Sequence, residues 1–236
     1  MPSPRFDAVL FDAGGVLVLP DPVAIGDTME PFAGPLPHHR FHRAHHAAMR
    51  ALEAPVVDHT GVSLETLDWL DYFRGYTASL GVSAADTPAA IAAFRRIFTS
   101  YVWRYRIEQS VAALGTLWAK GVGIGVVSNA SGQIEATLRY AGVCQVGVGA
   151  GVPVACVVDS AVVGVAKPDP AIFAPALAAL GHPDPGRVAY VGDSAINDVG
   201  GALAAGLVPL QLDPFDDYAG VVHERITSVW DLVDLF

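Results

Sequence analysis

The sequence predicts an α/β protein: a doubly wound parallel sheet with an all-helical insertion after its first strand. Two patterns carry this. From Glu108 onward, short apolar runs alternate with helix-forming segments, as a parallel sheet covered on both faces requires. Between Pro20 and Ile107 the alternation stops, and the chain becomes rich in Ala, His and Arg with no strand-like period. The expected division is a core of residues 1–19 and 108–236 and an insertion of residues 20–107.

Ala8-Val9-Leu10-Phe11 runs into Asp12 and then Gly14-Gly15, a buried strand breaking into a turn. Three helices are expected in the insertion. The first covers 37–52. The second covers 63–80, with Ser63 as N-cap and Gly81 as stop. The third covers 86–101, with Asp86 as cap and Pro88 in the first turn. Beyond the insertion come a helix over 108–120, a strand over 123–127 ending in Ser128-Asn129, and a helix over 131–140. A valine-rich strand around 156–158 and a helix over 169–180 follow. The strand over 188–191 leads into Gly192-Asp193, then a helix over 195–205 and a strand over 207–212. No internal repeat shows at the usual periods.

Composition narrows the function. The 236 residues are 52% hydrophobic and 16% charged, enough chain for a large core plus an insertion. Acids outnumber bases 24 to 14, and only Lys120 and Lys167 among the bases are lysines. That balance argues against nucleic-acid partners and against a lipid-binding basic face. The mean hydropathy of +0.40 raises the question of a membrane span. The longest apolar stretch, 142–166, is broken by Gln145, Pro153, Asp159, Ser160 and several glycines, so it reads as buried strands. The N-terminal MPSPRFDAVLFDAGG shows no basic region followed by an apolar run and cleavage site. Cys144 and Cys156 form neither a disulfide framework nor a metal pair, and are expected as buried residues of a cytoplasmic protein.

In open parallel sheets, ligands bind beyond the carboxyl ends of the strands. The polar residues expected there are Asp12, Ser128, Asn129, Lys167, Asp193 and Asp198. Each alone has an ordinary role, as a turn residue, a helix cap or a solvated lysine. Together, three apposed carboxylates make sense with a hard divalent cation among them. Mg²⁺ favours carboxylates plus water and phosphate oxygens. Lys167, Ser128 and Asn129 would then hold the phosphate, aided by backbone N–H groups at the next helix start.

The ordered segments FDAGGVL, VVSNAS, GVAKPDP and VGDSAIND resemble the four motifs of the haloacid dehalogenase superfamily. The resemblance covers roughly residues 6–18 and 109–212, and the insertion sits where that family places a helical cap on a Rossmann-like core. It implies that Asp12 is a nucleophile forming an aspartyl-phosphate. It implies that Ser128 hydrogen-bonds the transferring phosphoryl group and that Lys167 neutralises it. Asp193, Asp198, Asp12 and the carbonyl of Gly14 are the implied Mg²⁺ ligands. The implied activity is hydrolysis of a small phosphorylated metabolite.

One position departs from the pattern. Most phosphatases of this family carry a second aspartate two residues after the nucleophile, as general acid and base, where this chain has Gly14. Such help is worth about 10²–10⁴-fold. Three outcomes stay open. Another residue, Asp21 among them, supplies the proton; the enzyme favours good leaving groups such as sugar 1-phosphates or acyl phosphates; or the chain only binds phosphate. A metal-independent 2-haloacid dehalogenase also lacks the second aspartate, but would leave Asp193 without a task. A phosphonatase is excluded, because no lysine lies between residues 20 and 108. A sugar phosphomutase is disfavoured by the missing aspartate.

His38, His39, His42, His45 and His46 crowd one expected helix, with i,i+4 spacings that can align imidazoles. A metal site and a substrate-facing role are both conceivable, and a solvated helix face is the main expectation. Trp103, Arg104, Tyr105 and Arg106, at the return to the core, are expected to form a hinge packed by aromatics.

Overall fold

The computed structural model describes residues 4–57 and 68–236. Strand β1 (Ala8–Phe11) is buried along its whole length. The chain turns after it into β2 (Val18–Pro20), which pairs antiparallel with β3 (Trp103–Arg106). The α-helices described between them are α1 (Pro22–Ala33), α2 (His39–Val57), α3 (Trp69–Leu80) and α4 (Thr87–Ile97). Then come α5 (Glu108–Ala119), β4 (Gly123–Ser128), α6 (Ile134–Tyr140), β5 (Cys144–Val146), β6 (Val152–Val154) and β7 (Cys156–Asp159). The last elements are α7 (Ser160–Val163), α8 (Ala174–Ala179), β8 (Val188–Gly192), α9 (Gly201–Ala204), β9 (Val208–Leu212) and β10 (Arg225–Ile226).

Six strands make one parallel sheet in the order β10-β9-β8-β1-β4-β7. Alternate residues of β1 serve two apolar cores. Val9 and Phe11 pack with Leu114, Leu117 and Val126, while Ala8 and Leu10 pack with Val127, Phe173 and Tyr190. With both faces covered, a strand must be apolar throughout, as predicted. A third core, with Ile25, Met29, Phe41, Tyr72, Tyr76 and Phe94, is built from α1 to α4.

The elements differ from the sequence reading in ways that have local causes. Helix α1 is not among the three expected helices, and it forms although Gly26 and Pro31 lie inside it. It forms because Asp21 accepts a hydrogen bond from the Val23 N–H, Pro22 opens the first turn, and Ile25 and Met29 are buried. Helix α2 starts at His39 and runs to Val57 rather than stopping at 52. The expected cap Ser63 lies outside the described residues; α3 as described begins after Asp68, whose carboxylate accepts from Leu70 N–H, and ends at Gly81. Helix α4 ends at Ile97, not 101, and Asp86 makes no side-chain cap, its carboxylate instead accepting from Ser83. The β2–β3 ribbon was not expected: β2 is only three residues long, and β3 alternates aromatics with arginines. The expected helix over 195–205 is a π-helical turn, Ala195–Gly200, followed by α9. Its counterpart over 169–180 opens as a 3₁₀ turn, Pro170–Phe173, before α8. Cys144 is buried and Cys156 half-buried on the edge strand, both as free thiols. Among the described residues no helix is long and apolar enough to cross a membrane.

Candidate active site

Strands β8, β1 and β4 end side by side, so the residues that follow meet at one sheet edge. Asp12 leaves β1, Ser128 ends β4 and Asp193 leaves β8, while Lys167 reaches the same place from a loop and Asp198 from the π-helical turn Ala195–Gly200. Oxygens of Asp12, Asp193 and Asp198 lie within 4.8 Å of one another. Lys167 Nζ sits 2.9 Å from Asp12 Oδ1 and 2.6 Å from Asp198 Oδ1. It also donates to the Tyr190 hydroxyl at 2.8 Å. Asp198 is held on its other oxygen by the Ser194 N–H, at 2.9 Å. Gly192 makes this possible, since a Cβ there would lie 2.1 Å from Asp198 Cγ. Ser128 is buried and lines the same cavity, of about 640 Å³, as Asp12, Gly14 and Lys167.

Asn129 is tied to the lysine backbone and lines the cavity. Its Oδ1 accepts from the Lys167 N–H at 2.7 Å and its Nδ2 donates to the Lys167 carbonyl at 2.9 Å. It therefore positions the lysine backbone, and the second Nδ2 hydrogen is not used by these two bonds.

Burial governs the charges. It pushes the Asp12 carboxyl up to about 6; Lys167 opposes it, and the charges of Asp198 and Asp193 add to it. Asp193 is driven well above the carboxylate range by burial and then by Asp198. Burial pulls Lys167 down, but Asp12 and Asp198 outweigh it and hold the ammonium above its ordinary value. Three carboxylates against one ammonium suit a hard divalent cation, and the donor set is all oxygen. Asp12 Oδ1 is buried beside the Lys167 ammonium at 2.9 Å, where it could also serve a metal. Gly15 keeps the space open: at φ +71°, its missing Cβ would fall 2.1 Å from Asp193 Oδ2.

The insertion completes the site through α2, a contribution the sequence reading missed. His45 Nε2 lies 2.8 Å from Asp193 Oδ2, and its Nδ1 lies 3.0 Å from the Tyr72 hydroxyl. A neutral ring with its proton on Nε2 satisfies both, donating to the carboxylate and accepting from the tyrosine. Burial lowers His45 to about 4, against the pull of Asp12, which keeps it neutral. Two turns along, the buried Glu53 accepts from Ala195 N–H at 3.0 Å, Ile196 N–H at 3.2 Å, the Tyr218 hydroxyl at 2.6 Å and the Ser194 hydroxyl. It thereby caps the turn that follows Asp193. Burial pushes Glu53 up to about 7, against the lowering effect of these donors.

These contacts overturn the solvated-face expectation for the histidines. His38 and His39 are exposed, but His45 and His46 are buried, and His42 and His46 pack on Phe215 at 5.4 and 5.5 Å. The available signal was His45, Met49, Leu52 and Glu53 recurring along one helical face, Glu53 being the lone acid of α2. Asp21 is corrected too. It caps α1 and pairs with Arg104 at 2.7 Å, away from the cavity. Beside Gly14 lies an indole: a Cβ on Gly14 would stand 3.1 Å from Trp103 Cζ3.

The model of one protein family, described as haloacid dehalogenase-like hydrolase, matches residues 6–206. No curated protein matches the sequence. Among solved structures, an HAD phosphatase from Thermococcus onnurineus is similar over 97% of each chain, with 17% identity and a TM-score of 0.58. A putative HAD-hydrolase, YfnB, from Bacillus subtilis, solved bound to magnesium, gives 16% identity and a TM-score of 0.60 over 98% of each chain. A 2-haloacid dehalogenase from Pseudomonas syringae gives 19% and 0.52, over 98% of this chain and 97% of that one. At such identities these likenesses show the fold.

Proposed function

Since the chain belongs to the haloacid dehalogenase-like hydrolase family, we propose that it is a Mg²⁺-dependent phosphatase of small phosphorylated metabolites, acting through an aspartyl-phosphate on Asp12. The observation that carries this reading is the gathering of Asp12, Asp193 and Asp198 within 4.8 Å around buried Lys167. Asp12, Asp193, Asp198 and the Gly14 carbonyl would hold the metal. Bound there, it would screen Asp12 from an anionic phosphate and stabilise charge in transfer. An Asp12 oxygen attacks phosphorus and the bond to the leaving oxygen breaks, while the Ser128 hydroxyl and the Lys167 ammonium bind phosphoryl oxygens. Water then cleaves the acyl phosphate, releasing inorganic phosphate and restoring Asp12.

Asp21 is committed elsewhere and His45 is neutral and bonded at both nitrogens, so neither stands in for the absent acid at Gly14. This supports esters whose leaving groups need little protonation, such as sugar 1-phosphates or acyl phosphates. A 2-haloacid would bring a carboxylate in need of a cation. Lys167 is the one lysine or arginine among the described residues that line the cavity, and in a metal-free reaction the carboxylates gathered beside it would repel the substrate's carboxylate. The two free thiols suit the cytoplasm.

The test is turnover of a phosphomonoester panel with and without Mg²⁺, with Asp12→Asn as the blank. Mg²⁺-dependent phosphate release absent from the blank is expected. Rates equal to the blank would sink the proposal, and chloride release from a 2-haloacid in EDTA would replace it with dehalogenation.

A further inference from the structure

The cavity has two chemically different ends. Its inner end holds the aspartates, Ser128 and Lys167, and its outer wall holds Met49, Leu52, Trp69, Phe98 and Trp103 from the insertion and its ribbon. Three of these form a continuous aromatic row. Trp69 and Phe98 ring centroids are 6.1 Å apart, and those of Phe98 and Trp103 are 5.8 Å apart. The row begins against Gly14, directly beside the turn that carries Asp12. Thr99 and Ser100 add hydroxyls to this part of the lining, beside the imidazole of His45.

Cations are missing from this outer wall. Lys167 is the one lysine or arginine among the described lining residues, and it is engaged by Asp12, Asp198 and Tyr190. None of the insertion's arginines is among the described lining residues, and four of them are paired elsewhere. Arg43 pairs with Asp217, Arg74 with Asp71, Arg104 with Asp21 and Arg106 with Glu108. Residues 58–67, DHTGVSLETL, contain neither lysine nor arginine.

Building on the phosphatase reading, we infer that the substrate is a monoester whose phosphate is its only anionic group, with an uncharged leaving group that presents a ring face to Trp69, Phe98 and Trp103. An aromatic or sugar ring on the phosphate oxygen lies along that row, where its apolar face gains contact and its polar substituents meet Thr99 and Ser100. A second phosphate or a carboxylate on the leaving group meets apolar rings and hydroxyls with no lysine or arginine among the described lining residues, and a charge removed from water without a partner is disfavoured.

Matched pairs test this in Mg²⁺ buffer: phenyl phosphate against carboxyphenyl phosphate, and a hexose 1-phosphate against the hexose 1,6-bisphosphate. The member of each pair with the uncharged leaving group should show a kcat/KM about 100-fold higher, and Ser100→Arg should narrow that gap at least about tenfold by adding a cation to the wall. Equal rates within the pairs, or preference for the charged members, would overturn the inference and leave the phosphatase reading intact. If no ester is turned over beyond the Asp12→Asn blank, the phosphatase reading has failed on its own. Binding then decides the inference: quenching of tryptophan fluorescence by phenylphosphonate at lower concentration than by carboxyphenylphosphonate supports it, and equal or reversed affinities reject it.

Discussion

Replacing Glu53 with glutamine separates the ionisation of this carboxyl from its shape. Glu53 is held near 7 by burial, against 4.5 for an ordinary glutamate. A raised carboxyl pKa means that the folded state favours the protonated form. The stability this contributes is complete below about 4.5 and is lost as pH rises through about 7. The whole loss is roughly 3 kcal/mol. Between about pH 5.5 and pH 8.5 linkage predicts a fall of roughly 2 kcal/mol from this residue alone. The glutamine variant cannot ionise at this position, but it sets an NH₂ group against donors that Glu53 now satisfies, which costs about 1–3 kcal/mol at every pH. Urea unfolding of both proteins across this range is the assay, because the aspartate cluster and the histidines titrate in both and cancel in the difference. The advantage of wild type over Glu53→Gln should shrink by roughly 2 kcal/mol from the acid to the alkaline end. A difference that stays constant with pH would refute the assignment of a raised pKa to Glu53.

Two further substitutions probe the site. Lys167→Met leaves Asp12 and Asp198 buried without their ammonium, and should cost about 3–5 kcal/mol in metal-free urea unfolding while reducing turnover to the level of Asp12→Asn; unchanged metal-free stability would contradict the ion pairs. Gly14→Asp alone should lose about 1–3 kcal/mol to overpacking against Trp103 without gaining turnover. Made together with Trp103→Ala, it should raise kcat on an alkyl monoester by about 10²-fold over Trp103→Ala alone, which a four-variant kinetic cycle measures.

The parts of the site legible in the sequence are those placed by the sheet. Asp12, Ser128 and Asp193 each stand at the end of an apolar run, and a buried parallel strand announces both itself and its carboxyl end. His45 and Glu53 were illegible because their partners Asp193 and Ser194 lie 148 and 141 positions away, and only docking of α2 brings them together. The strand end fixes where the Asn129 amide is, but not that it also holds the Lys167 backbone. Helix α1 was hidden because Gly26 and Pro31 count against a helix locally, whereas the burial of Ile25 and Met29 that outweighs them is tertiary.

The docking of α2 also bears on how freely this protein can exchange parts. A helical insertion that closes over a core by surface fit alone can be grafted from one relative to another as a cassette. Here a graft at the β2 and β3 junctions would strip the acceptor from Ala195, Ile196, Ser194 and Tyr218, and the imidazole from Asp193. A working chimera must therefore carry acid and imidazole at the positions of Glu53 and His45, or bring the 193–196 loop along with the foreign helices. Altered substrate range is reached more directly by point changes along Trp69, Phe98 and Ser100, none of which hydrogen-bonds to that loop.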